Sequence, residues 1–486
     1  MAPQDPRLSM RQAESRVICG VARRDITPPV GIYHRMWGAA RHDQATAVHR
    51  PLFATALSLR PSNPAPGEEL AVLAVDHCLL WPRELEQLRG CVARAAGLQP
   101  EQVLVCFSHT HAAGLMGLDR SGLPGGERIA PYLEELALRA SDALLEARAA
   151  AEPAVIGYAS GRCSLAMHRD MYDQVQGAWV CGPHPEGPAD DTVLVARFTS
   201  LTGRVLAAVV NYACHPTTLA WENTLISPDF VGALRETVEA ALGGLCVFLQ
   251  GASGDLGPRR CYVGDPDVAD QNGRQLGHAV LAAVEGMLPP GQEYVYRRAV
   301  PSGALLGWWG LQPVDETRQQ LQAFWKRLHW HVPLAVRPGL PTVEECRAQL
   351  ARCEQAEAQA RAAGQLEQAT AWRTRAEIHR RQSVRLQHLP ASGPYPLAVT
   401  ACRMGEAVWI WLEAEHYQYL QRTLRARFDG TPLVLATLTN GSLPTYLPTR
   451  ETYGTGVYQE TIALLAPGCL EQLAAEVAEK VAQLLA

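Results

Sequence analysis

The sequence predicts an α/β protein with an inserted helical hairpin, and three observations lead there. From Val17 onward, short apolar, β-branched runs alternate with Ala/Leu/Arg/Glu stretches of helical period. Hydrophobic residues make up 47% of the 486 positions and charged residues 19%, a globular balance with enough apolar material for a large core. One segment, Thr317 to Leu389, departs from this texture, being rich in Gln, Arg, Ala and Glu.

The elements follow in order. Residues 1–17 read as a polar, poorly ordered lead-in. Leu70 to Val75 reads as a buried strand, Pro82 to Ala96 as an amphipathic helix, Val103 to Ser108 as a strand and Ile129 to Ala151 as a helix. Arg204 to Tyr212 and Leu245 to Leu249 are strands, and Ala269 to Gly286 is a helix. Val408 to Leu412 and Leu433 to Thr439 are late strands, and Cys469 to Leu485 closes the chain as a helix. The departing segment, about residues 315–390, reads as two long, mostly solvated helices around a turn marked by Pro333, Pro338 and Pro341. Such an arm suits a lid or a homo-oligomer contact, since Trp325, Trp330 and Trp372 need packing partners.

Bulk properties exclude several function classes. The net charge of −5 gives no basic surface for nucleic acid. No apolar run approaches the ~20 residues of a membrane span, so no integral membrane association is expected. The first residues lack a basic region followed by an apolar one, as in a cytoplasmic protein. The 13 cysteines are scattered, with no C-x-x-C pair, which speaks against a disulfide framework or a thiolate metal site.

Chemistry-bearing residues gather where strands end. The strand from Val103 runs into Ser108-His109-Thr110-His111. On an extended backbone, residues two apart face one side, so His109 and His111 suit a metal ligand beside a general acid/base. A second histidine, His215, follows the strand ending at Tyr212. Phe248 to Pro258 reads as a strand leading into a Gly-rich turn with Asp255, and it lacks the Gly-Lys-Ser/Thr ending of a phosphate loop. Past Leu412, both Glu413 and Glu415 can reach a metal from the strand end, and Tyr446 lies in a turn-rich loop. Trp308-Trp309 reads as core or pocket wall rather than a base-stacking platform. Asp76-His77-Cys78 reads as a packed strand end, with Asp76 able to support a metal ligand. His329 and His331 read as surface residues near a helix end.

Taken in order, these clusters resemble the neutral/alkaline non-lysosomal ceramidase family. The resemblance rests on Gly20 to Pro29 with Asp25-Ile26-Thr27, on Ser108 to Gly114, on His215 followed by Asn223 to Gly232, and on Gln250 to Asp255. It implies a large mixed β-sheet core flanked by helices, spanning residues 18–486 as one hydrolase domain. It implies a Zn2+ site of His109, His215, Glu415 and Tyr446. It also implies His111 as the general acid/base, Arg169 facing the scissile carbonyl oxygen, Tyr458 as a second active-site tyrosine and Asp25 as an orienting carboxylate.

The sequence departs from the family at two of these motifs. Gly257 stands where the family has a serine that serves ceramide cleavage, and Glu413-Ala414-Glu415-His416 replaces Pro-Gly-Glu-Phe. The family also carries a further C-terminal β-sandwich domain, beyond the stretch matched here. The expectation is therefore a zinc-dependent hydrolase of an amide or ester bond in a small polar or amphiphilic substrate. Hydrolysis of a non-acyl bond, such as a glycosidic one, and a non-catalytic ligand-binding role are the alternatives.

Overall fold

The computed structural model describes residues 8–63 and 67–486. Eight strands form one mixed sheet, in spatial order Leu245–Gln250, Val205–Tyr212, Thr192–Ser200, Glu152–Arg162, Glu14–Asp25, Phe53–Pro61, Leu70–Val75 and Val103–Phe107. The outermost pair at each edge is parallel, and the strands between run antiparallel. A second sheet contains Trp325–Leu334, Tyr395–Met404, Ala407–Leu412 and Leu433–Ala436.

The period-two alternation of strand side chains explains how the layers stack. Trp409 and Trp411 share one core with Val72, Leu104, Phe198 and Val209 of the large sheet. Their neighbours Val408, Ile410 and Leu412 face the other way, against Leu470, Leu473 and Val477 of the helix Cys469–Leu485. The far face of the large sheet is covered by four helices, Pro82–Ala96 with Ile129–Ala149 and Phe230–Leu242 with Pro266–Glu285. The result is helix, sheet, sheet, helix, each sheet buried on both sides. Outside the inserted segment, the anticipated strands and helices appear in place, with ends shifted by a turn at most. Among the described residues, no helix is long and apolar enough to cross a membrane.

Three expectations need correction. Residues 1–7 of the lead-in lie outside the described residues, but Ser9–Met10 pairs with the strand Gln292–Ser302, and Glu14–Asp25 begins inside the supposed lead-in. Its first residues are polar yet buried. Glu14 accepts hydrogen bonds from Gly291 N and Gln322, and the Ser15 hydroxyl meets Met404 O and Tyr158. Second, the inserted segment is not helical throughout. Glu316–Gln322 is a short helix, Trp325–Leu334 joins the second sheet, and only Val343–Ala362 and Leu366–Gln387 form the long helices. Pro333 fits because that strand is the sheet's edge. His329 and His331 consequently share a strand face, with ring centroids 5.3 Å apart. Third, Trp308 is half exposed on the hairpin Gln292–Ser302/Ala304–Pro313, under Arg298, and is no part of the core.

Candidate metal centre

The site is assembled by loops leaving the carboxyl ends of strands that have a parallel neighbour. His109 follows Val103–Phe107, His215 follows Val205–Tyr212, the turn 251–255 follows Leu245–Gln250, and Glu415 follows Ala407–Leu412. Open sheets gather ligands at such ends. The backbone is strained there. His109, Ala414 and Thr445 adopt φ of 68°, 75° and 76°, which costs a residue with a Cβ roughly 1–2 kcal/mol each. They are, respectively, one expected ligand and the residues just before two others, Glu415 and Tyr446.

Three ligand-type side chains converge. Nε2 of His109 and Nε2 of His215 lie 3.2 and 3.1 Å from the same Glu415 Oε2. Nδ1 of His109 donates to the Cys78 carbonyl at 2.8 Å, and Nδ1 of His215 donates to the Ser253 carbonyl at 2.7 Å. Because a carbonyl only accepts, each neutral ring must present its Nε2 lone pair to the cluster. All three residues are buried, and their candidate ligand atoms lie within 4.8 Å of one another. Two imidazoles oriented by backbone carbonyls plus one carboxylate are the donor set that zinc takes in sites with an open position. A second grouping of Cys78, His109 and His111 overlaps it. It fits a cation less well, because the Cys78 sulfur sits 3.5 Å from Nδ1 of His109, the nitrogen that carries the proton.

The charges in this cluster are strongly interdependent. Burial opposes a charge on His109, but Cys78 and Glu415 outweigh it and raise its pKa well above the ordinary value. Burial would raise Glu415, yet His109 and His215 hold it well below the carboxylate range. Burial and the Arg169 charge push His215 down to about 3. His111 is held well below its usual value, by burial first and then by His109 and His215, so it stays neutral.

Most of the other expected residues surround this cluster. Arg169 is buried, donating through Nε and Nη2 to Gly254 O (3.1 and 2.7 Å) and through Nη2 to the Tyr446 hydroxyl (3.0 Å). The Tyr446 hydroxyl is 3.2 Å from His215 Nε2. Gly254 can only be glycine, because a Cβ there would sit 2.9 Å from the His416 carbonyl. His111 packs 4.9 Å from the His109 ring and 5.2 Å from Trp37, and its Nε2 has no hydrogen-bond partner among the described residues. Tyr458 lies further out, 48% exposed, with its ring 6.1 Å from that of Tyr446.

Others are placed elsewhere. Asp25 is exposed, and its carboxylate accepts from Thr27 N at 2.8 Å. It is an Asx-turn residue rather than an orienting carboxylate. Asp76 pairs with Arg235 and accepts from Phe53 N, so it supports no cluster member. Glu413 turns away to accept from Ala398 N at 2.9 Å. Ser253 stays beside the cluster: its hydroxyl accepts from the Gln250 amide at 2.6 Å and lies 3.3 Å from His215 Nδ1. A Cβ at Gly257 would have only ordinary contacts, 3.6 Å to Arg169 Cδ and 3.8 Å to Thr217 Oγ1. That Thr217 hydroxyl is buried without a partner among the described residues. Sequence reasoning had not singled out Thr217, Trp37, or the Cys78 and Ser253 carbonyls. Only the Gly-rich turn after Gln250 hinted at such support.

Fold and site together describe an α/β protein with a buried His/His/Glu cluster at the carboxyl ends of its strands. The chain has the fold of the neutral ceramidases. It superposes on the neutral ceramidase from Pseudomonas aeruginosa with a TM-score of 0.61 at 16% identity, covering 96% of this chain and 74% of the other. A solved structure described as a ceramidase complexed with C2 gives a TM-score of 0.62 at 15% identity, covering 97% and 76%. No protein-family model matches the sequence. No curated protein matches it either.

Proposed function

We propose that the chain is a zinc-dependent hydrolase that cleaves an acyl bond, an amide in the first instance, of a small polar or amphiphilic substrate. The observation that carries this reading is the convergence of two carbonyl-oriented imidazoles and Glu415 on one point beside Arg169 and Tyr446. His109, His215 and Glu415, with Tyr446 as a fourth ligand, would hold zinc, which supplies a Lewis acid that activates water and polarises a carbonyl. Arg169 is fixed by the Gly254 carbonyl, so its guanidinium is preorganised for the oxyanion that develops in acyl transfer. His111, whose Nε2 has no partner among the described residues, is placed to move a proton between water and the leaving group. Tyr458 closes the outer side as a further hydroxyl donor. The ceramidase names of the structural neighbours point to N-acyl amides, and Gly257 favours a substrate other than ceramide itself.

The test is metal content followed by turnover. About one zinc per chain is expected by site composition, lost in His109→Ala and in His215→Ala. Among chromogenic amides, esters and glycosides, amides and esters should be cleaved and glycosides spared. Arg169→Ala should keep the zinc and lose activity. A correctly folded chain that binds no metal, or that cleaves only glycosides, would overturn the reading.

A further inference from the structure

The inserted segment reaches the site through one face of the helix Leu366–Gln387. Arg373 pairs with Asp43, and the Thr374 hydroxyl donates to Gly38 O at 2.8 Å. Glu377 binds Arg120, and Arg381 donates to Met36 O at 2.6 Å. Val384 packs on the small cluster of Met36, Cys78, Leu79, Trp81 and Leu115. These positions recur at helical spacing on one side. The contacts bracket the site closely, since the Cys78 carbonyl holds His109 and Trp37 packs on His111.

Arg385 is the next residue on that face, and its charge interacts with Tyr458, Glu415 and Tyr446. The cations along the helix differ in one respect. Arg373, Arg380 and Arg381 each have a carboxylate, and Arg375 lies over Trp372. The Arg385 side chain makes no hydrogen bond or ion pair with any described residue. Arg385 is half-buried, the partial burial lowers its pKa, and a charge drawn out of water without a counter-ion is destabilising. Glu415 does not serve as that counter-ion, because it is committed to His109 and His215.

We propose that Arg385 receives an anionic group of the substrate, a carboxylate or a phosphate, carried close to the scissile acyl bond. The planar guanidinium fork matches either group in bidentate fashion. This deepens the hydrolase reading and rests on it, because it assigns the substrate class of the same site.

The test uses the full chain with zinc added and three matched amides: N-benzoylglycine, N-benzoyl-O-phosphoethanolamine and the neutral N-benzoylethanolamine. Both kcat/KM and calorimetric Kd are measured. At least one anionic amide should be preferred by about 10- to 100-fold, the range of a charge-assisted hydrogen-bonded pair, and the two anionic arms tell carboxylate from phosphate. Arg385→Gln should erase the preference, chiefly through KM, and Arg385→Lys should restore part of it. Equal treatment of all three amides, in turnover and in binding, overturns the assignment, as does a preference that survives Arg385→Gln. Anion-selective binding without zinc or cleavage would instead sink the hydrolase reading alone.

Discussion

Replacing Glu377 with glutamine should loosen the helix that carries Arg385 while leaving the sheets intact. The Glu377 carboxylate binds Arg120, whose side chain has no solvent exposure, and Arg381 Nε at 2.7 Å, with Arg380 at 3.3 Å. Removing one partner of a buried ion pair costs about 3–5 kcal/mol, because the other charge is left uncompensated. Here Arg120 keeps Asp119 and Arg381 keeps the Met36 carbonyl, so the lower end applies. A cost of about 3 kcal/mol corresponds to a roughly 100- to 200-fold increase in local opening. Hydrogen exchange read by mass spectrometry should show this for peptides from the helix Leu366–Gln387, with the helix Pro82–Ala96 as an unaffected control. Protection that changes by less than a few-fold would refute the claim that this triad docks the helix. The effect has a defined pH sense. Burial alone would raise Glu377, but Arg120 and then Arg381 hold it well below the usual carboxylate range. A depressed folded pKa contributes stability in full above the unfolded value of about 4.3 and loses it as pH falls toward the folded one. The wild-type helix should therefore resist pepsin at pH 4 and approach the variant only in stronger acid.

Zinc at about 100 times its Kd should stabilise the native chain by about 2.7 kcal/mol. For 486 residues that is a rise in Tm of roughly 2–3 °C. Glu415→Gln should abolish the rise in a thermal scan and Glu413→Gln should keep it; equal shifts in both would remove Glu415 from the ligand set. Gly257→Ser should fold with its Tm nearly unchanged, since the new Cβ meets no atom closer than 3.6 Å, and a large drop would show that the loop has no room. Thr217→Val should raise stability by about 1 kcal/mol, by removing a buried hydroxyl without a partner, and lower kcat in the amide assay. Full activity in that variant would deny Thr217 any part in the reaction.

What the sequence revealed and what it hid follow from how local each signal is. The alternation Val408 to Leu412 is complete within five residues, so that strand was legible. So were His109 and His215, each marked by an apolar strand ending in small polar residues. Glu14 and Ser15 were unreadable as strand because their partners, Gly291, Gln322 and Met404, lie hundreds of residues away. Trp325–Leu334 reads as helix in the sequence because an edge strand tolerates the Lys, Arg, His and Pro it contains. The choice between Glu413 and Glu415 shows the limit most clearly. Simple alternation places both on one side of an extended chain. Ala414, at φ 75°, breaks the alternation and sends Glu413 to Ala398 N and Glu415 to the two histidines. Asp25 failed for the opposite reason, since a local Asx turn to Thr27 satisfies its carboxylate before any distant group competes. Arg385 lay outside any motif. It becomes legible only when the Glu377 contacts dock its helix beside Cys78, where the same packing that orients His109 leaves one cation unpaired.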